Sequence, residues 1–286
     1  MFYWKMRFPG GRSKALTLSY DDGVCTDRRL IEIMNRHGLK GTFNINSGKF
    51  LPEGTASSPT RRMSEGEARE CYLGSGQEVA IHGLYHGWFH RMPSATASYE
   101  LCEDRRRLEL LTGKVVRGMA YPFGNYTAET LQLLRANGIA YARTTKAHKS
   151  FVLPDEFLTW HPTCHHKDPA LWELTERFLE APSSGHYEDS SLFYLWGHSY
   201  EFERDGNWEL IERFAETVGG REEIWYATNG ELYRYLTAYR RLEWGVEQKT
   251  VYNPNGADVW IAGCNWGKVG DTVQVPAGEE VRLVEA

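Results

Sequence analysis

Cysteine is scarce and scattered in this chain. The five residues Cys25, Cys71, Cys102, Cys164 and Cys264 are odd in number, far apart and nowhere spaced as C-x-x-C. That excludes a disulfide framework and a zinc ribbon, and it fits a reducing compartment. Long hydrophobic runs are lacking as well. No stretch reaches the roughly 18 consecutive apolar residues of a membrane span. The opening MFYWKMRFPGGRSK has no apolar segment of about 7–15 residues and no small-residue cleavage site, so the sequence predicts a cytoplasmic protein without a secretory signal. A basic excess is missing too. Lys and Arg number 33 against 38 Asp and Glu, a net charge of −5, which argues against a general binder of nucleic acid or anionic membrane. Neither G-x-G-x-x-G nor G-x-x-x-x-G-K-[ST] follows any candidate strand, which lowers the case for an open nucleotide-binding sheet.

What is present is ordinary globular composition, 41% apolar and 25% charged, over 286 residues. A chain of that length can bury about 75% of its unfolded surface and needs neither disulfides nor a structural metal to fold. It has room for two average domains, or for one α/β barrel with an appendage. Aromatic residues are plentiful, at 10 Trp, 16 Tyr and 12 Phe. They suit either a ring-binding surface or an aromatic core.

Short β-rich runs alternate with helical patterns. The runs Lys14–Tyr20, Gly41–Ser47, Glu78–Gly83, Val115–Pro122, Ala140–Thr145, Ser191–His198 and Glu223–Thr228 read as strands. Segments with apolar residues three and four apart lie between them, such as Asp27–His37, Ser94–Leu111 and Trp208–Val218. Gly38 reads as a helix stop, and Ser64 with Glu67 as a capping box. Alternation at about 25–35 residues per unit implies parallel strands with helices outside. Seven units favour a closed or nearly closed barrel, so the fold class expected is α/β, a distorted (β/α)7-type barrel. After residue 247 the pattern shifts to short strands and turns at Pro254-Asn255-Gly256 and Pro276-Ala277-Gly278. The expected division is a barrel over 1–246 and a small C-terminal β appendage over 247–286.

In such barrels the reactive groups stand at the C-terminal ends of strands. Asp21-Asp22-Gly23 follows the first strand, His82 ends the third and leads to His86, Tyr121-Pro122-Phe123-Gly124 ends the fourth, and His198 ends the sixth. Asp-Asp-Gly alone is ordinary turn chemistry. A His-x-x-x-His spacing puts two imidazoles within reach of one metal. The chain holds three such pairs, His82/His86, His86/His90 and His161/His165, several-fold more than chance gives for ten histidines. Only the first pair begins at a strand end. His165-His166 reads as a solvated loop before a helix, and His198 alone, amid apolar neighbours, reads more often as a packed core histidine.

Taken together, S-Y-D-D-G (19–23), H-G-L-Y-H (82–86), Y-P-F-G (121–124) and W-G-H (196–198) resemble, in order and spacing, the polysaccharide deacetylases. This is carbohydrate esterase family 4, whose deacetylase domain also occurs in nodulation-factor enzymes. The resemblance covers about residues 12–240. It implies that Asp22, His82 and His86 hold one divalent metal, usually zinc, with Co, Ni or Mn as alternatives. Asp21 would be the base that takes a proton from water, and His198 the acid that protonates the leaving amine. The backbone N–H of Phe123 would stabilise the oxyanion, with Tyr121 and Trp160 as substrate-binding neighbours. The family's base-orienting arginine falls at Ala120 here; Arg143 or Arg117 could supply the guanidinium instead. The activity implied is metal-dependent removal of acetyl groups from N- or O-acetylated sugars or oligosaccharides. Two other readings are an intracellular hydrolase of a non-sugar amide, such as a ureide or cyclic imide, and a non-catalytic carbohydrate-binding barrel.

Overall fold

A run such as Lys14–Asp21, buried at every position, needs strand partners on both sides and cover on both faces. In the computed structural model, which describes residues 2–181, 190–265 and 268–283, that run is strand β2 at the heart of a parallel sheet. The strands before the appendage are β1 (Phe2–Arg7), β2, β3 (Gly41–Ile45), β4 (Glu78–Ile81), β5 (Gly118–Ala120), β6 (Tyr141–Arg143), β7 (Cys164–His165), β8 (Ser191–Gly197) and β9 (Ile224–Tyr226). The helices are α1 (Asp27–Arg36), α2 (Glu65–Tyr72), α3 (Ser94–Thr112), α4 (Ala128–Ala136), α5 (Leu171–Glu180), α6 (Tyr200–Asp205), α7 (Trp208–Val218) and α8 (Asn229–Arg240). The chain ends with β10 (Glu243–Trp244), β11 (Thr250–Tyr252), β12 (Val259–Asn265), β13 (Lys268–Val275) and β14 (Glu280–Arg282).

Seven strands follow one another in the order β6-β5-β4-β3-β2-β8-β7, and β9 also pairs with β2; every pairing is parallel. This is the curled, distorted barrel the alternation predicts. Beside β6, in the segment that leads into β7, Trp160 pairs in parallel with Arg143: its N–H donates to Ala142 O at 3.0 Å while its carbonyl accepts from Thr144 N at 2.9 Å. Strand β7 is only two residues long and follows Pro162, so sequence periodicity does not register it.

Local chemistry sets the helix ends. Ser64 Oγ accepts from Glu67 N at 3.2 Å and Ser64 N donates to Glu67 Oε2 at 2.8 Å, a complete capping box for α2. Apolar faces such as Leu30, Ile33 and Met34 of α1 join Leu16, Leu18 and Phe43 of the sheet in the main core. Each such fully buried side chain contributes about 1.5–3 kcal/mol relative to exposure.

The small antiparallel sheets are β1-β12-β13 and β10-β11-β14. The expected 1–246 segment thus begins with a strand that pairs elsewhere: β1 runs against β12 from Phe2↔Asn265 to Arg7↔Trp260. Tyr235 of α8 clips the two together, its hydroxyl donating to Arg7 O and accepting from Trp260 N at 2.9 Å. A second apolar cluster joins Met6, Val251, Ile261 and Val275 to Leu192, Leu232 and Leu236. Among the described residues no helix is long and apolar enough to cross a membrane.

Trp160 is a correction to its expected place as a pocket wall. It is 1% exposed and packs edge-on against Tyr141, Phe157 and Tyr194: with its backbone paired beside β6, its ring fills the core. Trp160→Ala should therefore lower stability by about 3–5 kcal/mol in urea unfolding. A wild-type midpoint in this variant would restore the pocket-wall reading.

Candidate metal centre and active site

Parallel strands deliver their following loops to one end of the sheet, and the polar residues gather there. Strand β2 ends at Asp21, β4 leads into His82 and His86, β5 into Tyr121–Gly124, and β8 into His198. Among the described residues, five non-glycines have positive φ; three of them are Asp22 (88°), His86 (61°) and Phe123 (61°). Such conformations cost roughly 1–3 kcal/mol each and cluster where function over-determines the backbone. The surroundings supply that determination. Asp22 N donates to Asn44 O at 2.9 Å, and Asn46 Nδ2 donates to the carbonyls of His82 and Gly83, both at 2.6 Å.

Asp22, His82 and His86 each turn one ligand atom into a common space, all within 4.8 Å of one another. His82 Nδ1 lies 2.8 Å from Ala120 O. A carbonyl can only accept, so Nδ1 carries the proton and Nε2 keeps its lone pair for a metal. Burial lowers the pKa of His82, and burial with the neighbouring His82 lowers that of His86 to about 4. Both rings are neutral at physiological pH, as ligation requires. For Asp22, burial is outweighed by His82 and Arg62, which keep the carboxyl below its usual range. Two imidazoles and a carboxylate suit a zinc-class dication and leave positions open for water and substrate. The other two His-x-x-x-His pairs do not converge in this way among the described residues.

Asp21 is 3% exposed and reaches its neighbours through both oxygens. Asn44 Nδ2 donates to Oδ1 at 2.9 Å and Arg143 Nη2 donates to Oδ2. Burial alone would raise this carboxyl, but Arg143, His82 and His198 outweigh it and hold it at about 2. Arg143 is fully buried, spans to Ser19 Oγ at 3.2 Å and lies over the Trp196 ring at 4.3 Å. Of the two expected arginines, Arg143 meets Asp21. Arg117 does not: it precedes β5, at the far end of the sheet, and donates to Gly138 O at 2.9 Å.

His198 Nε2 stands 4.0 Å from Asp21 Oδ2, and its Nδ1 lies 3.2 Å from Glu201 Oε2. Burial would lower its pKa, yet the Glu201 hydrogen bond and Asp21 together raise it. Phe123 presents its ring edge-on to His86 at 4.6 Å and stacks on Trp88 at 3.9 Å. Tyr121 does not offer its side chain to this space. It is 1% exposed, and its hydroxyl donates to Leu158 O at 2.8 Å inside the core. Beside the centre a cavity of about 340 Å³ is lined by Asp22, Val24, Thr60, Arg62, Tyr200 and Arg204.

Sequence reasoning missed Arg62, which pairs with Asp22 Oδ1 at 2.8 Å from an irregular loop that gives no periodic signal. It also missed Asn44. A polar residue inside the buried run G-T-F-N-I was the available hint. His165 and His166 are not a solvated loop: β7 carries them to the same sheet end, and His166 is buried.

A family model described as polysaccharide deacetylase matches residues 9–142. No curated protein matches the chain. Among solved structures, a candidate polysaccharide deacetylase from Mycobacterium smegmatis is 17% identical, with 82% of this chain and 94% of that one covered at a TM-score of 0.60. Peptidoglycan deacetylase PdaC from Bacillus subtilis is 16% identical, covering 77% and 89%, with a TM-score of 0.49. A family 4 carbohydrate esterase from Streptomyces lividans is 14% identical, covering 74% and 91%, with a TM-score of 0.48. The first of these has the same fold as this chain.

Removing Arg143 should leave Asp21 buried without its counter-charge. Arg143→Met is expected to cost about 3–5 kcal/mol at pH 7. The depressed carboxyl contributes stability above its unfolded pKa, and that contribution is lost as pH falls towards about 2. The gap between wild type and variant in urea unfolding should therefore narrow as pH falls from about 4 towards about 2. A gap that stays constant would show that Arg143 acts through packing alone.

Proposed function

From the match of residues 9–142 to the polysaccharide deacetylase family model, we propose that the chain is a metal-dependent hydrolase removing acetyl groups from N-acetylated, or O-acetylated, sugars or oligosaccharides. One observation carries the reading: Asp22, His82 and His86 converge as ligands while Asp21 and His198 flank them, their side chains 4.0 Å apart.

A dication held by Asp22, His82 and His86, most simply zinc, would supply Lewis acidity that brings the pKa of water towards about 7 and polarises the acyl oxygen. Asp21, kept ionised by Arg143, accepts the proton as water forms its bond to the acyl carbon. His198, whose Nδ1 is held by Glu201, turns Nε2 to the same side and gives a proton to the leaving nitrogen as the C–N bond breaks. The products are acetate and a free amine. A backbone N–H at Phe123 would add about 3–4 kcal/mol of oxyanion stabilisation. Around this centre Tyr85, Trp88 and Phe123 are 51%, 36% and 45% exposed, and their rings suit the apolar faces of a sugar.

Acetate release from a panel of acetylated sugars and oligomers, with and without chelator, tests the reading. Release that ignores the chelator, or none from any member, would overturn it. The tightest-bound metal equivalent should disappear in His82→Ala and in His86→Ala but persist in His161→Ala.

Asp21→Asn should keep that metal and lose roughly 10²–10⁴-fold in rate; unchanged activity would make Asp21 a turn residue only.

The acid role of His198 requires its protonated form. Its pKa lies above the ordinary 6.5, so activity on an amide should hold below that raised value and fall as pH rises through it. His198→Ala should remove this limb and should harm an N-acetyl sugar far more than an activated aryl acetate, which needs little leaving-group protonation. Equal losses on both substrates would exclude the acid role.

A further inference from the structure

A second set of donors meets beside the first. Glu201 Oε2 lies 3.1 Å from His165 Nε2, 3.3 Å from His166 Nε2 and 3.2 Å from His198 Nδ1. Ligand atoms of His165, His198 and Glu201 all fall within 4.8 Å of one another. The other oxygen, Oε1, faces Arg204 at 3.3 Å and Lys167 at 3.9 Å.

Hydrogen bonding accounts for only part of this crowding. His166 is 1% exposed, and neither of its ring nitrogens has a hydrogen-bond partner, although Nε2 approaches Glu201 so closely. A buried polar group left unmade costs about 1–3 kcal/mol. The ring cannot swing away. It is stacked on Tyr20 at 5.7 Å and packed on Phe202 at 4.3 Å, and a Cβ on Gly197 would lie 2.0 Å from its Nδ1. Gly197 thus leaves the room in which the imidazole is held with Nε2 towards the carboxylate. Ligand atoms about 2.1 Å from one tetrahedral ion stand about 3.4 Å apart without pointing at each other. The three contacts to Glu201, at 3.1, 3.3 and 3.2 Å, fall near that spacing, and the one to His198 is also a hydrogen bond.

We infer that His165, His198 and Glu201 form a second site for a divalent transition metal, of the imidazole-and-carboxylate kind that takes Zn²⁺ or Co²⁺, with the unpartnered His166 Nε2 at its edge, 3.3 Å from Glu201. The site shares His198 with the reaction. Resting here on the deacetylase reading, an ion at Nδ1 replaces the proton that makes His198 an imidazolium, so loading of the second site opposes the acid step.

The full chain, stripped with chelator and titrated with Co²⁺, tests this through bound metal and visible absorption. Two equivalents are expected, with activity rising over the first and falling over the second. His82→Ala should lose the tight equivalent and keep the other. His165→Ala, whose side chain is partly exposed, and Glu201→Gln should each keep only the tight one, with circular dichroism as in wild type. A single equivalent in the wild type, or two in both of those variants, would overturn the site. Two equivalents without inhibition would overturn the sharing of His198. Two equivalents on a chain that releases no acetate would uphold the site and remove only the deacetylase reading.

Discussion

At the ends of β2 and β6 the Asp21 carboxylate and the Arg143 guanidinium are buried against each other, and the candidate centre is arranged around that pair. A lone carboxylate at 3% exposure would take up a proton rather than stay charged. With Arg143 present it stays ionised, and the same contact fixes which way each oxygen faces. The arginine is held in turn by Ser19, by the Thr144 carbonyl and by the face of Trp196, so strands β2, β6 and β8 all bear on one carboxylate. Strand β6 is paired beside Arg143 by the backbone of Trp160. The aromatic core and the charge at the centre are therefore one mechanical unit.

The histidines show how position divides a single residue type into two chemistries. Burial drives His82 and His86 down, and the carboxylates near them do not reverse it, so both rings are neutral, as ligation would require. His198 is also buried, yet Glu201 and Asp21 reverse the direction and favour its cation. Environments that push titratable groups apart mark the acid and base assignments of a site. Here the separation arises within a few ångströms, between the ends of β4 and β8.

Much of the fold was legible because its signals are local. Seven buried strands, their helices and the Ser64–Glu67 cap all lie in short windows of sequence. Asp21, Asp22, His82, His86 and His198 were legible because strand ends carry their loops to one face. What failed was what depends on distance. β1 finds its partner about 250 residues away, and β7 is fixed by β8 rather than by its own two residues. Trp160 looks like a pocket ring until its backbone is seen to pair beside β6. Ala120 in place of the usual arginine left Arg143 and Arg117 open, and only the turn of β6 towards β2 separates them. The His165–His166 pair offered no strand-like run, so its convergence on Glu201 could not be read from spacing.

The pairing of β1 with β12 also bears on how the chain comes to be folded. Strand β1 leaves the ribosome well before the strand it pairs with, β12, which begins at Val259. At about 5–20 residues per second, β1 waits roughly 12–50 s for its partner. During that time its edge is open to other strands, and nascent barrels on neighbouring ribosomes carry the same edge. Lys5 and Arg7 place charge within that strand, the feature that discourages edge-to-edge association. A strand that pairs across about 250 residues is thus a long-exposed adhesive surface during synthesis, and its two cations are placed to guard it.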